Sequence, residues 1–213
     1  MSSTGSLRVR PCTAADAAAA VPLIHDSGPL AFRYVFSQRY EAQSLDFLQR
    51  AFRDGRGEFG WRNHAVAESG GAVAAVAALW DAGQNLRFTL AAARQIAGAY
   101  GAAAPLVIAR GLRMERVVRP ASAGVAYIGH VAVVPALRGQ GIGRALLEQL
   151  LDTARARGFT RAGLDVAASN PRARALYEGL GFRLRATRRS TLAGRWGAVP
   201  DHHYLELLLP AGR

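Results

Sequence analysis

Val133-Val134-Pro135-Ala136-Leu137-Arg138-Gly139-Gln140-Gly141-Ile142-Gly143 reads as a strand that enters a glycine-rich turn and leaves it as a helix. At a helix start several backbone N–H groups lack partners, and the aligned peptide dipoles make that end positive. Glycines remove the Cβ atoms that would hold a phosphate away from those N–H groups. Arg138 and Arg144 flank the turn and can add charge-assisted hydrogen bonds. The stretch Arg138, Gly139, Gln140, Gly141, Ile142, Gly143, Arg144 therefore reads as a pyrophosphate cradle, with a bare tight turn as the plainer alternative. Two other phosphate loops do not fit. One requires a lysine, and the chain contains none. The dinucleotide fingerprint requires G-x-G-x-x-G, whereas these glycines run G-x-G-x-G and no acidic ribose partner ends the next strand.

Working outward, Tyr127 to Val134 is an apolar, β-branched strand ended by Pro135. Gly143 to Arg157 is helical, with Leu147, Leu150, Leu151 and Ala154 forming one apolar stripe. Arg161 to Ala167 is a strand, and Asn170-Pro171 opens a helix that Gly181 stops. Phe182 to Thr191 and His203 to Leu209 read as two final strands. Toward the N-terminus, Leu7 to Arg10 alternates like a short strand. Thr13 and Asp16 resemble a capping box for a helix through Val21 and Ile24 that fails near Gly28-Pro29. A second helix is predicted over about Ser44 to Phe52. His64 to Glu68 and Ala72 to Trp80, split by Ser69-Gly70-Gly71, form a hairpin. Asn85 to Val118 breaks this rhythm. It reads as helical, with Phe88, Ala92, Ile96 and Ala99 on one side, an interruption around Gly98 to Ala102, and a second, Arg-rich helix over Leu106 to Arg116. This pair is expected to pack on the domain; a substrate lid or a homodimer surface is the sharper alternative.

A chain of 213 residues, half of them hydrophobic, can bury the core of one domain, here placed at 7–210 with the insertion at about 85–118. The formal charge is +12, but all 27 basic residues are arginine, which marks a compositional bias more than a nucleic-acid surface. The positive field still favours anionic ligands. Arg183, Arg185, Arg188 and Arg189 lack aromatic stacking partners and read as a solvated strand. Cys12 is the only cysteine, so neither an intrachain disulfide nor a thiolate cluster can form. Neighbouring strand residues point to opposite faces, so Asp201-His202-His203 is not expected to hold a metal. Met1 to Ser6 is polar, and the apolar run Ala72 to Trp80 is too short to span a bilayer. A cytoplasmic protein with no membrane or nucleic-acid partner is expected.

A second motif follows the cradle by one helix and one strand: Asn170-Pro171-Arg172-Ala173-Arg174-Ala175-Leu176-Tyr177-Glu178-Gly179-Leu180-Gly181-Phe182. Together the two segments resemble the GNAT (GCN5-related) family of N-acetyltransferases. Arg138, Gly141 and Gly143 match its Q/R-x-x-G-x-G/A motif, and Asn170, Ala173, Leu176, Tyr177, Gly181 and Phe182 match its N-x-x-A-x-x-L-Y-x-x-x-G-F segment. The likeness is tight over Tyr127 to Phe182, general over Leu7 to Trp80, and absent over Asn85 to Arg119. It implies an α/β fold: a mixed, mostly antiparallel sheet of about seven strands, helices on both faces, and two central parallel strands, ending near Val134 and Ala167, that splay to admit the ligand. It implies acetyl-CoA as cosubstrate, with pantetheine pairing at about Val131 and Val133, pyrophosphate over Arg138 to Arg144, Asn170 in contact, and Tyr177 as the acid that protonates the leaving sulfur. No metal is implied.

Direct attack of an amine on a thioester requires alignment, a proton acceptor and a proton donor, but no covalent nucleophile. Tyr177 on an apolar helix face is otherwise a packed tyrosine, but inside this motif the acid is the favoured reading; Asn170 is a good helix cap regardless, which does not exclude cofactor contact. For the base, three residues and a water chain stand open. Asp165 lies twelve positions before Tyr177, a placement similar to the catalytic glutamate of the branch acting on ribosomal-protein N-termini, although it could instead pair with an arginine. His130 titrates in the right range, and by strand parity shares a face with Ile128 and Ala132, opposite Tyr127, Gly129 and Val131. Glu68 is the third. The reading is acetyl transfer to a primary amine of a small molecule; acetylation of a protein N-terminus or lysine, or a non-catalytic acyl-CoA-binding module, are the alternatives.

Overall fold

The computed structural model describes residues 7–210, so the polar Met1–Ser6 stretch lies outside the described residues. The strands are β1 (Arg8–Pro11), β2 (His64–Ser69), β3 (Ala72–Trp80), β4 (Ala126–Val133), β5 (Arg161–Ala167), β6 (Arg183–Arg188), β7 (Ala193–Gly194), β8 (Gly197–Ala198) and β9 (His202–Leu208). β7 and β8 form a small separate hairpin, and the rest make one seven-stranded sheet in the order β1-β2-β3-β4-β5-β9-β6. Every neighbouring pair is antiparallel except β4 and β5, which are the two central parallel strands the sequence motifs imply.

Alternation along β2 and β3 sends side chains to two cores. Val66 and Val76 join the helices α1 (Ala17–Asp26), α2 (Pro29–Phe36), α3 (Gln43–Asp54), α4 (Asn85–Tyr100) and α5 (Ala104–Met114) on one face. Ala67, Ala75 and Ala77 face the opposite core, where α6 (Ile142–Ala156) lays down Leu146, Leu147, Leu150, Leu151 and Ala154, and α7 (Pro171–Gly179) adds Tyr177. Alanines on β3 let α6 sit close, and burial of each α6 leucine contributes roughly 1.5–3 kcal/mol. Among the described residues no helix is long and apolar enough to cross a membrane.

Two features depart from the sequence reading. Gly28-Pro29 does end the first helix, but Pro29 also begins α2, a helix not anticipated; proline at the first helical position loses no hydrogen bond. Arg188, expected on a solvated strand, turns inward from the end of β6, its side chain only 13% exposed. The predicted insertion is two helices, interrupted by a 3-10 turn at Gly101–Ala103, and Phe88, Ala92, Ile96 and Ala99 do face inward. Tyr100 donates to the Phe36 carbonyl (2.7 Å), and Arg110 to that of Tyr34 (3.2 Å), so the pair is fastened to α2. Its outer surface carries Leu86, Leu90 and Leu112, exposed at 71%, 63% and 60%.

The Thr13–Asp16 capping box is present, and in it the Asp16 carboxylate accepts the Thr13 N–H at 2.7 Å. It also binds Arg10 at 2.7 Å, and Arg10 reaches Glu68 at 2.7 Å, tying β1, the helix start and β2 together. The Arg10 guanidinium, with the Thr13 hydrogen bonds, holds the Asp16 carboxyl at about 2, below its ordinary 3.8. Because the folded-state value is the lower one, this stabilisation is complete above pH 3.8 and is lost as the pH falls through about 2. Asp16→Asn is expected to lower stability by about 2 kcal/mol at neutral pH. In urea melts the difference from the parent chain should shrink steadily below pH 3.8; a pH-independent difference would remove the ion pair as its cause.

Candidate active site

β4 and β5 pair only at Ala126–Ala162 and Tyr127–Gly163, then separate. Each keeps its other neighbour: β5 stays paired with β9 from Arg161–Leu208 to Ala167–His202, and β4 stays paired with β3 as far as Ala75–Val133. The fork opens into a cavity of about 790 Å³. It runs along the freed edge of β4, past the start of α6 and of α7, and under α2, α4 and α5.

The cradle stretch forms one end of this cavity. After the 3-10 turn Pro135–Leu137, Gly139 and Gly141 take φ of +89° and +82°, and α6 starts at Ile142. No side chain caps α6, so the N–H groups of its first turn have no intrahelical partner. A Cβ on Gly141 would meet no atom within 4 Å; it would stand in the cavity, where a phosphate must come. Leu137, Arg138, Gly139, Gly141, Ile142, Gly143 and Arg144 all line the wall, and so do Val131 and Val133. Gln140 does not: its amide turns back toward the Ala136 carbonyl at 3.5 Å. Arg138 is steadied by the Val133 carbonyl (3.0 Å), and Arg144 by that of Gly179 (3.0 Å). Asn170 caps α7 by accepting the Ala173 N–H at 3.1 Å, and still lines the cavity with Arg172 and Ala173. Two helix N-termini thus converge on one space, a geometry suited to an extended anion.

Tyr177 lines the same cavity from α7, packed edge-on to Phe182. Burial alone pushes its hydroxyl pKa up, so it stays protonated and can act as a donor. Asp165 is also on the wall, but both its oxygens are engaged: Oδ2 accepts the Tyr127 hydroxyl (2.8 Å) and Oδ1 the Arg188 guanidinium (2.6 Å). Burial raises its pKa to about 6, against the opposing pull of Arg188 and Tyr127. Glu68 is held by Arg10 at the far edge of the sheet and does not line the cavity. Cys12 is buried in the helix-side core, which pushes its thiol up to about 12 and leaves it unreactive.

His130 departs from simple strand parity. Gly129 faces Ala78 and Ala132 faces Val76, so β4 carries one residue more than β3 over this span, and His130 sits at φ +55° in the bulge. Among the described residues it is the only non-glycine with positive φ. Such a conformation costs of order 1–3 kcal/mol and points to a site where it is needed. Parity placed His130 with Ile128 and opposite Tyr127; in fact Ile128 enters the α6 core while Tyr127 and His130 both pack on Trp80, at centroid distances of 5.0 and 5.5 Å. Gly129 is required here, because a Cβ would collide with the Trp80 indole.

The sequence reading did not include His64, whose ring stacks on His130 at 5.2 Å and 10°. His64 Nδ1 lies 2.9 Å from the Gly60 carbonyl and must carry its proton there. Burial, then His130, lowers the His64 pKa to about 3, so the ring is neutral and its Nε2 is an acceptor. His130 Nδ1, 3.0 Å away, is therefore the donor, which leaves His130 Nε2 as a free lone pair. That nitrogen faces Glu58 Oε1 at 3.5 Å, a partner for the imidazolium once a proton arrives. Nothing local marks His64 or Glu58; the β2–β3–β4 register brings His64 to His130, and Glu58 reaches it from the segment between α3 and β2. His202 and His203 point to opposite faces of β9, as strand alternation predicts: His202 reaches the cavity wall, whereas His203 bonds Thr187 at 3.0 Å.

A model of the acetyltransferase (GNAT) family matches residues 30–182. The [ribosomal protein bS18]-alanine N-acetyltransferase of Escherichia coli K12 is 46% identical over 77 residues, 35% of this chain and 52% of that protein. The chain thus matches about half the length of that curated relative. Among solved structures, an N-acetyltransferase from Staphylococcus aureus Mu50 superposes with a TM-score of 0.67 at 18% identity, covering 94% of this chain and 100% of the other. A Salmonella typhimurium protein solved with its cofactor acetyl-CoA gives 0.56 at 19% identity, covering 98% and 96%. At such identities these two likenesses speak to the fold.

Gly141→Val would put a branched side chain into the open cradle at a positive φ. CoA affinity measured by calorimetry is expected to fall about tenfold or more, the scale of one lost hydrogen bond to a charged group. Gln140→Ala, off the wall, should change it by less than about twofold. Equal losses would mean that the cradle is not where the anion sits.

Proposed function

The chain belongs to the GNAT acetyltransferase family, and we propose that it transfers the acetyl group of acetyl-CoA to the primary amine of a small molecule. The observation that carries this reading is a single cavity whose wall holds both the anion cradle Arg138–Arg144 and the free Nε2 of His130. The bare Gly141 and the two converging helix N-termini fit a pyrophosphate, and the freed edge of β4 at Val131 and Val133 fits a ligand arm that pairs with backbone. Acetyl-CoA supplies the thioester whose carbonyl carbon the amine attacks.

The chain's own groups supply positioning and proton transfer. Val131, Val133, Arg138, Gly139, Gly141, Ile142, Gly143, Arg144 and Asn170 hold the cosubstrate. His130 Nε2 takes one proton from the amine, and Glu58 steadies the resulting charge. The Tyr177 hydroxyl delivers one proton to sulfur. A C–N bond forms and the C–S bond breaks, so the products are the N-acetyl amine and the CoA thiol, and protons balance once solvent returns each group to its starting state. His130 is assigned as base over Asp165 because both Asp165 oxygens already serve Tyr127 and Arg188. A small acceptor is favoured over a peptide because α2, α4 and α5 roof the acceptor side. The bS18 relative acts on a protein alanine, but its match spans only 77 residues, too little to carry its acceptor across.

Calorimetry with acetyl-CoA should show binding; none at millimolar ligand would overturn the reading. Tyr177→Phe and His130→Gln are each expected to lower turnover by about 10²-fold or more, the usual contribution of a placed acid or base, with acetyl-CoA affinity changed less than about twofold. Thiol release with a panel of amines and peptides is the direct assay. Release with one acceptor supports an enzyme, whereas tight acetyl-CoA binding with none would identify a binding module.

A further inference from the structure

Beyond the β4 bulge the cavity turns away from the cradle to the α2 side, and its chemistry changes. Phe32, Phe59 and Trp80 surround the His130 ring at centroid distances of 6.0, 5.5 and 5.5 Å. Farther out the wall is Phe36, Phe88 and Met114, from α2, α4 and α5. Polar residues on this wall have largely spent their donors on the protein. The Asn85 amide donates to the Ala121 carbonyl (3.0 Å), the Thr89 hydroxyl to that of Asn85 (3.0 Å), and the Gln95 amide to Asp54 (2.9 Å).

The charges on this side run against the rest of the molecule. In a chain of net +12, the carboxylates of Asp26, Glu58 and Glu115 line this cavity, as does Arg119. Burial, then the charge of Glu58, raises the Glu115 pKa. Aromatic faces with a carboxylate among them attract an ammonium group through the ring quadrupole and the ion pair. Phe36, Phe88 and Met114 behind them offer only apolar contact.

We propose that the acceptor is a monoamine whose primary amino group is carried on a bulky apolar, aromatic-sized body, an inference that rests on the acetyl-transfer reading above. The amino group lies among Phe32, Phe59 and Trp80 against His130 Nε2, with Glu58 as counter-charge, and the apolar body fills the space lined by Phe36, Phe88 and Met114. In that apolar space a sugar amine or peptide would strand hydroxyls or amides with no partner; a polyamine, whose second ammonium Asp26 or Glu115 would attract, is the competing acceptor that the test must exclude. The helices 85–114 therefore set acceptor choice by supplying the far wall.

The test uses the full chain with saturating acetyl-CoA and compares 2-phenylethylamine with ethanolamine, spermidine and a tetrapeptide beginning in alanine, reading thiol release. The value of kcat/KM for phenylethylamine is expected to exceed that for ethanolamine by about 100-fold or more. Phe88→Ala should lower the phenylethylamine-to-ethanolamine ratio of kcat/KM about tenfold. A second readout needs no turnover: equilibrium dialysis of labelled phenylethylamine against the CoA-loaded chain should show saturable binding that Glu58→Gln, at a half-exposed position that tolerates the change, weakens about tenfold. Preference for spermidine or the peptide, or dialysis without binding at millimolar amine, would overturn the inference and leave acetyl transfer standing. Failure to bind acetyl-CoA would instead overturn the acetyl-transfer reading, and the same dialysis against the unloaded chain would still decide whether the chamber takes this amine.

Discussion

Backbone hydrogen bonding between β4 and β5 stops after Tyr127 and Gly163, and the site exists because it stops there. A sheet normally satisfies every inner N–H and C=O, and leaving such groups without protein partners carries a cost. Here the loss is confined to one edge of each strand, since β3 and β9 continue to pair with the outer edges. The fork itself is pinned by side chains. Tyr127 reaches across from β4 to Asp165 on β5, and Arg188 closes the group from β6 while its guanidinium stacks on Tyr204 at 4.9 Å. Asp165 thus holds the two strands at a fixed opening. Its burial is tolerable because each oxygen has a partner.

The fork delivers an unpaired strand edge and two helix starts to one place, and the β4 bulge gives that place a proton acceptor. An extra residue in β4 turns His130 toward α2, where His64 and the Gly60 carbonyl set which nitrogen carries the proton. This is the logic of a base oriented by a second group, which in turn is oriented by a third. Strain at His130 and the tight seat of Gly129 under Trp80 are two sides of one arrangement: the backbone comes close to the indole so that the imidazole can pass beneath the helices.

Where the sequence was legible, the signals were short-range. The stripe of α6, the proline start of α7, the hairpin of β2 and β3 and the glycines of the cradle each depend on residues a few positions apart. Arg161–Ala167 matched its strand end to end. Gly28-Pro29 shows the limit: the same dipeptide closes one helix and opens another, and local pattern could name only the closing. Strand parity failed at His130 because a bulge is a property of two strands in register, and β4 alone does not announce it. Arg188 looked like one arginine of a charged strand; its inward turn depends on Asp165, 23 positions earlier and two strands away.

The amino-acid sequence by itself determined the family and the glycine-rich turn proposed to hold the cosubstrate, because the backbone N–H groups of that turn are exposed by local glycines and one helix start. Tertiary structure decided the rest. It engaged Asp165 in the fork, brought His64 to His130 across 66 positions and placed Glu58 beside them. It also folded helices 85–114 over the acceptor side, so that residues unremarkable in the chain became its walls. Cradle geometry is written in neighbouring residues. The proposed base and the chamber around it are assembled from strands and helices that meet only when the sheet has formed.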